Sequence, residues 1–123
     1  MYGEVILDHF RHPRNEGSLE RPDIVHEDLN PLCGDRVRIE LSIDDGVIRA
    51  ARFRGDLCII AKAASSMLTE MIAGARLDAV ADLRQEELLG ALHDEIPAGR
   101  RNCALLPLSV LKAGVRLFSA SRP

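Results

Sequence analysis

The sequence predicts an α+β fold, a three-stranded antiparallel sheet packed against several helices. Three observations predict it. Residues 36–44, RVRIELSID, alternate strictly: Val37, Ile39, Leu41 and Ile43 share one side and polar residues the other, the period of a half-buried strand. Asp45–Gly46, directly after it, is a hairpin signal. Beyond Gly55 the apolar spacing changes to helical intervals.

Each element follows in order. The opening segment YGEVILDHFRH sets Val5, Ile6, His9 and Phe10 at helical spacing, and Pro13 ends it. NEGSLERPD is a turn-rich link to a first strand at about IVHED. After the turn, GVIRAARFRG returns as the third strand. IIAKAASSMLTEMIAG, rich in Ala, Leu and Met, predicts a long helix stopped by Gly74 at its C′ position. Ser65 and Ser66 within it read as small residues that permit close packing. LDAVADLRQEELLGALHDEI reads as one broken helix or two short ones, and Pro97 with Gly99 breaks the pattern. CALLPLSVLKAGVRLFSA predicts a final amphipathic helix with Asn102 as its N-cap. Pro107, one turn in, removes the hydrogen bond back to Cys103.

A chain of 123 residues suits a single domain, 1–123. With 46% hydrophobic and 28% charged residues, its balance is that of a soluble globular protein. A net charge of −3 and the lack of any long basic run argue against nucleic acid as a partner. No apolar stretch is expected to reach the ~20 residues of a membrane span, so no membrane partner is expected. MYGEVILDHF has no basic n-region and does not read as a secretory signal. A cytoplasmic location is the expectation.

The three cysteines, Cys33, Cys58 and Cys103, are odd in number, widely spaced and free of any CxxC pair. Disulfides are rare in the cytosol, which leaves inert buried thiols, metal ligation or catalysis. Each cysteine falls at a junction between elements, whereas structural cysteines favour the middle of an apolar face. Cys58 and Cys103 fall at expected helix N-termini, where the dipole and free N–H groups favour thiolate. Asp35, two residues after Cys33 in NPLCGD, adds a carboxylate, although a plain turn residue has the same look. Three thiolates and a carboxylate suit tetrahedral Zn²⁺ or the iron of a cluster, and an oxygen ligand among sulfurs suits temporary custody. Gly34 fits a tight turn between them. No two of the four histidines stand at a ligand spacing. His9 reads as packed, and His12, His26 and His93 as surface residues.

These residues resemble the iron–sulfur cluster assembly scaffolds, the family of IscU, the N-terminal domain of NifU, and SufU. YGEVILDHFRHPRNEG is similar to the family's N-terminal helix and its exit, and NPLCGDRV to its first cysteine motif. FRGDLCIIAKAASSMLTEMIAG and IPAGRRNCALL are similar to the second and third. The resemblance implies an IscU/NifU-N-like α+β fold with Cys33, Asp35, Cys58 and Cys103 as the site. It implies zinc at rest or a transient [2Fe–2S] cluster on those residues. It also implies a cysteine desulfurase of the IscS/SufS type as sulfur donor, and apo iron–sulfur proteins as acceptors. Within that picture Cys103, opening a helix beside Pro97–Ala98–Gly99, is the expected sulfur acceptor.

The chain departs from the family pattern in places that bear on subtype. IscU-type members usually carry histidine before the third cysteine, and here it is Asn102. Arg100, three residues before Cys103, is similar to the SufU type, yet the SufU-type insertion between the second and third cysteines is absent. Leu57 stands where the family usually has glycine. The chaperone-recognition stretch is represented only by IPAGR, which weighs against dependence on an Hsp70-type chaperone. The scaffold reading therefore has two rivals: a SufU-type zinc-dependent sulfurtransferase that activates a desulfurase, and a structural zinc-binding domain.

Overall fold

The computed structural model of the protein describes residues 2–121. Its elements run α1 (Glu4–Arg11), β1 (Ile24–Leu29), β2 (Arg36–Asp44), β3 (Val47–Asp56), α2 (Ile59–Ile72), α3 (Leu77–Ala81), α4 (Gln85–Ala91) and α5 (Arg101–Ala120), with a 3₁₀ turn at Ala98–Arg100. The strands form one antiparallel sheet in the order β1–β2–β3. Residues 77–96 resolve into two short helices.

The alternation in β2 sets the layering. Val37, Ile39 and Leu41 face inward with their register partners on β3, Ala51 and Phe53, and all five are buried. α2 and α5 cover this face with Ile60, Leu68, Ala104, Leu108 and Leu111. Asp45 (φ 53°) and Gly46 (φ 74°) both take the left-handed conformation that the β2–β3 hairpin requires. Gly74 (φ 81°) closes α2 as expected.

Two expectations change. α5 begins at Arg101, not at Cys103, because the 3₁₀ turn runs straight into it; Asn102 therefore lies inside the first turn and is not the N-cap. The stretch Ala98–Ala120, 23 residues, is by length and composition apolar enough to cross a membrane, contrary to the expectation that none was. Half of it is buried in the protein, because its apolar side is the lid of the sheet.

The link after α1 is tied down by polar contacts. Gly17 N–H donates to Phe53 O (2.9 Å) and Phe53 N–H to Asn15 O (3.0 Å), adding a short parallel bridge beside β3. Leu19 N–H donates to Glu40 Oε1 (2.8 Å), and Arg38 Nε donates to Glu40 Oε2 (2.7 Å). Burial alone would raise the Glu40 pKa, but these bonds outweigh it and hold the carboxyl below its ordinary value.

α1 is fastened to α2 through Ser66, which does more than permit close packing. Its Oγ accepts from Arg14 N–H (2.8 Å) and lies 2.7 Å from His9 Nδ1. With the Arg14 bond occupying the hydroxyl oxygen, the hydroxyl proton is free to point at Nδ1, which assigns the ring proton to Nε2, facing Glu70 at 3.5 Å. Burial, and then the Arg14 charge, hold the His9 pKa below 6.5. The folded state thus binds fewer protons here than the unfolded chain, so this contribution is present above the unfolded value and is lost on acidification. The melting temperature is expected to fall as pH is lowered from 7 through 6.5, and His9→Gln to flatten that slope.

Gly55 is a point of close approach between β3 and β2 beside the loop carrying Cys58. A Cβ there would stand 1.9 Å from the Arg36 carbonyl oxygen and 3.0 Å from Val37 Cα. Gly55→Ala is expected to cost more than about 2 kcal/mol in a denaturant titration. Gly90→Ala, in α4 with nothing within 4 Å of the added carbon, is expected to be neutral or to stabilise by about 0.5–1 kcal/mol.

Candidate metal centre

NPLCGD forms a closed turn before β2. Asn30 Oδ1 accepts from Leu32 N–H (3.0 Å), and Asn30 O accepts from Gly34 N–H (2.8 Å). Gly34 takes φ 76°, and Asn30 N–H donates to Asp35 O (2.8 Å). The turn therefore needs its asparagine, its glycine and its bend, and it presents Cys33 and Asp35 to the same place.

Asp35, 5% exposed, is the centre of the constellation. Its Oδ1 accepts from Cys58 N–H (3.0 Å), and its Oδ2 accepts from Cys33 Sγ–H (3.3 Å). One carboxylate thus joins the loop before β2 to the N-terminus of α2. Ligand atoms of Cys33, Asp35 and Cys103 all lie within 4.8 Å of one another. Tetrahedral zinc sites with metal–sulfur bonds near 2.3 Å separate their ligands by roughly 3.5–3.8 Å, so these three fit a metal after closing by about an ångström. Cys58 stands beside the trio as the N-cap of α2, where its Sγ accepts from Ala61 N–H (3.4 Å). The cysteine–carboxylate donor set suits zinc, with Cys58 as the residue that must leave its cap to join.

The thiols differ in access: Cys33 is exposed, Cys58 half-buried and Cys103 buried, at 1% exposure. Cys103 does not reach outward, and its thiol is not turned to thiolate by the helix. Burial first, then hydrogen bonding to Cys33 and the charge of Cys58, push it up to about 12. Together they outweigh the dipole of a helix whose first turn it occupies. Arg100 stands at the same place: the electrostatic influence of Cys58, then a hydrogen bond to Cys103, raise its pKa. His9 is bound up with Ser66, and His93 is exposed; neither belongs to the cluster of ligand atoms. Gly55 and Ser66 are supports that sequence reasoning missed, since each acts through a partner distant in the chain.

The domain is a small antiparallel sheet with helices that gathers thiols and a carboxylate at the ends of its elements. Comparisons name the class. The family model of the NifU-like N-terminal domain matches residues 1–122, and the chain belongs to this family. IscU, the iron–sulfur cluster assembly scaffold protein of Haemophilus influenzae, is 31% identical over 125 residues, covering 98% of both chains. The Escherichia coli IscU is 30% identical over 128 residues, covering 98% of this chain and 96% of its own. The zinc-dependent sulfurtransferase SufU of Bacillus subtilis is 42% identical over 74 residues, which span 60% of this chain and half the length of that relative. Among solved structures, a SUF-system scaffold protein from Fervidobacterium islandicum superposes with a TM-score of 0.82 at 22% identity, covering 93% of this chain and 96% of its own. The N-terminal NifU-like protein of Brucella abortus gives 0.78 at 22%, covering 98% and 95%. Both show the fold.

In metal-free protein, alkylation followed by mass spectrometry at neutral pH is expected to label Cys33 first and Cys103 last. Cys103 is expected to react at least about a hundredfold more slowly, because the thiolate is the reactive form.

Proposed function

We propose that this single domain is a cytoplasmic scaffold on which an iron–sulfur cluster is assembled and from which it is passed on. The observation that supports it most is the convergence of Cys33, Asp35 and Cys103 within 4.8 Å, with Cys58 hydrogen-bonded to the same carboxylate. In this reading the four residues hold zinc at rest and a transient [2Fe–2S] cluster as cargo. Zinc, when bound, would keep the thiols deprotonated and together.

Sulfur comes as the persulfide of a cysteine desulfurase of the IscS/SufS type. The exposed Cys33 thiolate attacks the outer sulfur, a new S–S bond forms on Cys33, and the desulfurase cysteine leaves as thiolate. The exposure of Cys33 supports this order over Cys103 as first acceptor; Cys103 closes the site around the sulfur once its proton is lost. Two electrons per sulfur from an external reductant then give sulfide, which binds iron. Arg100 offsets the negative charge that accumulates. Asp35, the hard ligand, is the one from which cargo departs most easily toward an acceptor with thiolates only.

A second reading, the SufU-type sulfurtransferase, is favoured by Arg100 and by Asn102 in place of histidine. The two readings diverge under anaerobic incubation with iron, cysteine, a reductant and a desulfurase, followed by an apo-ferredoxin. The scaffold reading expects a visible cluster spectrum on this protein that then moves to the ferredoxin. Retained zinc, no cluster and faster desulfurase turnover would establish the sulfurtransferase instead. Under the scaffold reading Asp35→Ala slows cluster loss several-fold, and equal or faster loss removes Asp35 from that role.

A further inference from the structure

Of the three thiols, the fold pairs two. Cys33, on the loop before β2, and Cys103, in the first turn of α5, are far apart in the chain. Their Sγ atoms nevertheless lie within 4.8 Å of each other, and the two side chains are hydrogen-bonded. Cys58 lies outside that group of ligand atoms, and its Sγ accepts from Ala61 N–H at the head of α2 (3.4 Å).

The pair is unequal in access. Cys33 is exposed and can meet a sulfur donor, whereas Cys103, at 1% exposure, is closed to one. A buried thiol beside an exposed one is placed to react with what its neighbour carries in. Held this close, it reacts in an effectively unimolecular step, ahead of a reductant that must first diffuse to the site. A bond between the two sulfurs needs them to close to about 2.05 Å. The exposed Cys33, on a turn where Leu32 beside it is 89% exposed, has room for that approach.

We propose that Cys103 is the resolving thiol of a sulfide-releasing step: it attacks the Sγ of persulfidated Cys33, and a Cys33–Cys103 disulfide forms as hydrosulfide leaves. The proposal rests on the scaffold reading for the source of the persulfide. The bond between Cys33 Sγ and the added sulfur breaks, the bond between the two Sγ atoms forms, and the Cys103 proton goes to the departing sulfur. A deprotonated persulfide and a thiol thus give a disulfide and hydrosulfide. Counting the persulfide as a thiol bearing one zero-valent sulfur, that sulfur gains two electrons and the two cysteine sulfurs lose one each. The electrons reach the sulfur through the thiol pair, and a dithiol reductant then reopens the disulfide by exchange, becoming oxidised in its place. A disulfide takes two of the four ligands out of use, so the step belongs to the metal-free site.

The test uses the intact, metal-free protein, anaerobically and with no reductant. Sulfur is loaded in one arm by a desulfurase with a single equivalent of cysteine, and in the other by inorganic polysulfide. Sulfide and persulfide are followed in quenched samples, and peptide mapping without reduction locates the sulfur–sulfur bonds. The unaltered protein is expected to form the Cys33–Cys103 disulfide in step with sulfide release. Cys103→Ser is expected to keep the persulfide on Cys33 and to release sulfide at least about tenfold more slowly. The mapping reads the unaltered protein, so it decides the matter even where the buried substitution disturbs folding. A persulfide that persists in the unaltered protein, sulfide release without the disulfide, or a disulfide to Cys58 instead would overturn the proposal. So would polysulfide that leaves no sulfur on Cys33, or equal release by a folded Cys103→Ser. Failure of the desulfurase arm alone, with the polysulfide arm as expected, supports the resolving step and counts against the scaffold reading.

Discussion

The site depends on one carboxylate. Asp35 accepts from the Cys58 backbone N–H with one oxygen and from the Cys33 thiol with the other, so it fastens the loop before β2 to the first residue of α2. A buried carboxylate without partners carries a large desolvation penalty, and these two bonds set the spacing of the thiols around it. A metal bound by the same oxygens would compete with the Cys33 S–H bond and would have to displace hydrogen bonds already in place.

Rigid elements meet the site only with their ends. β2 begins two residues after Gly34, β3 ends two residues before Cys58, and α5 starts two residues before Cys103. The frame stays fixed through the core of β2, β3, α2 and α5, while loop backbone and free helix N–H groups shape the pocket. Gly55 permits the strand ends to approach within a distance no side chain allows, and α1 is held against α2 by the Ser66 hydroxyl. Neither touches a ligand, yet both position the segments that do.

The two faces of the sheet divide the work. The inner face is an apolar core, and on the outer face the link after α1 buries Glu40 while leaving arginines and a β1 edge of leucine and valine exposed. The expected membrane-inert composition concealed a last helix apolar enough to span a bilayer, and it was packing against the sheet that made it a core helix.

What the sequence determined by itself was what local spacing can encode. Period two in RVRIELSID gave β2, Asp45–Gly46 gave the hairpin, helical spacing gave α1, α2 and α5, and the placing of three cysteines and an aspartate at junctions marked where the candidate site would lie. Local signals also misled: Asn102 has the side chain of an N-cap, but the 3₁₀ turn before it carries the helix back to Arg101. Only the tertiary structure decided which thiol faces solvent, that Cys103 is buried, that Cys58 is turned to its helix, and which face the arginines share. Burial, electrostatic neighbours and cross-strand register join residues far apart in the chain, such as Asp35 to Cys58 and His9 to Ser66, and no short-range pattern records such pairings.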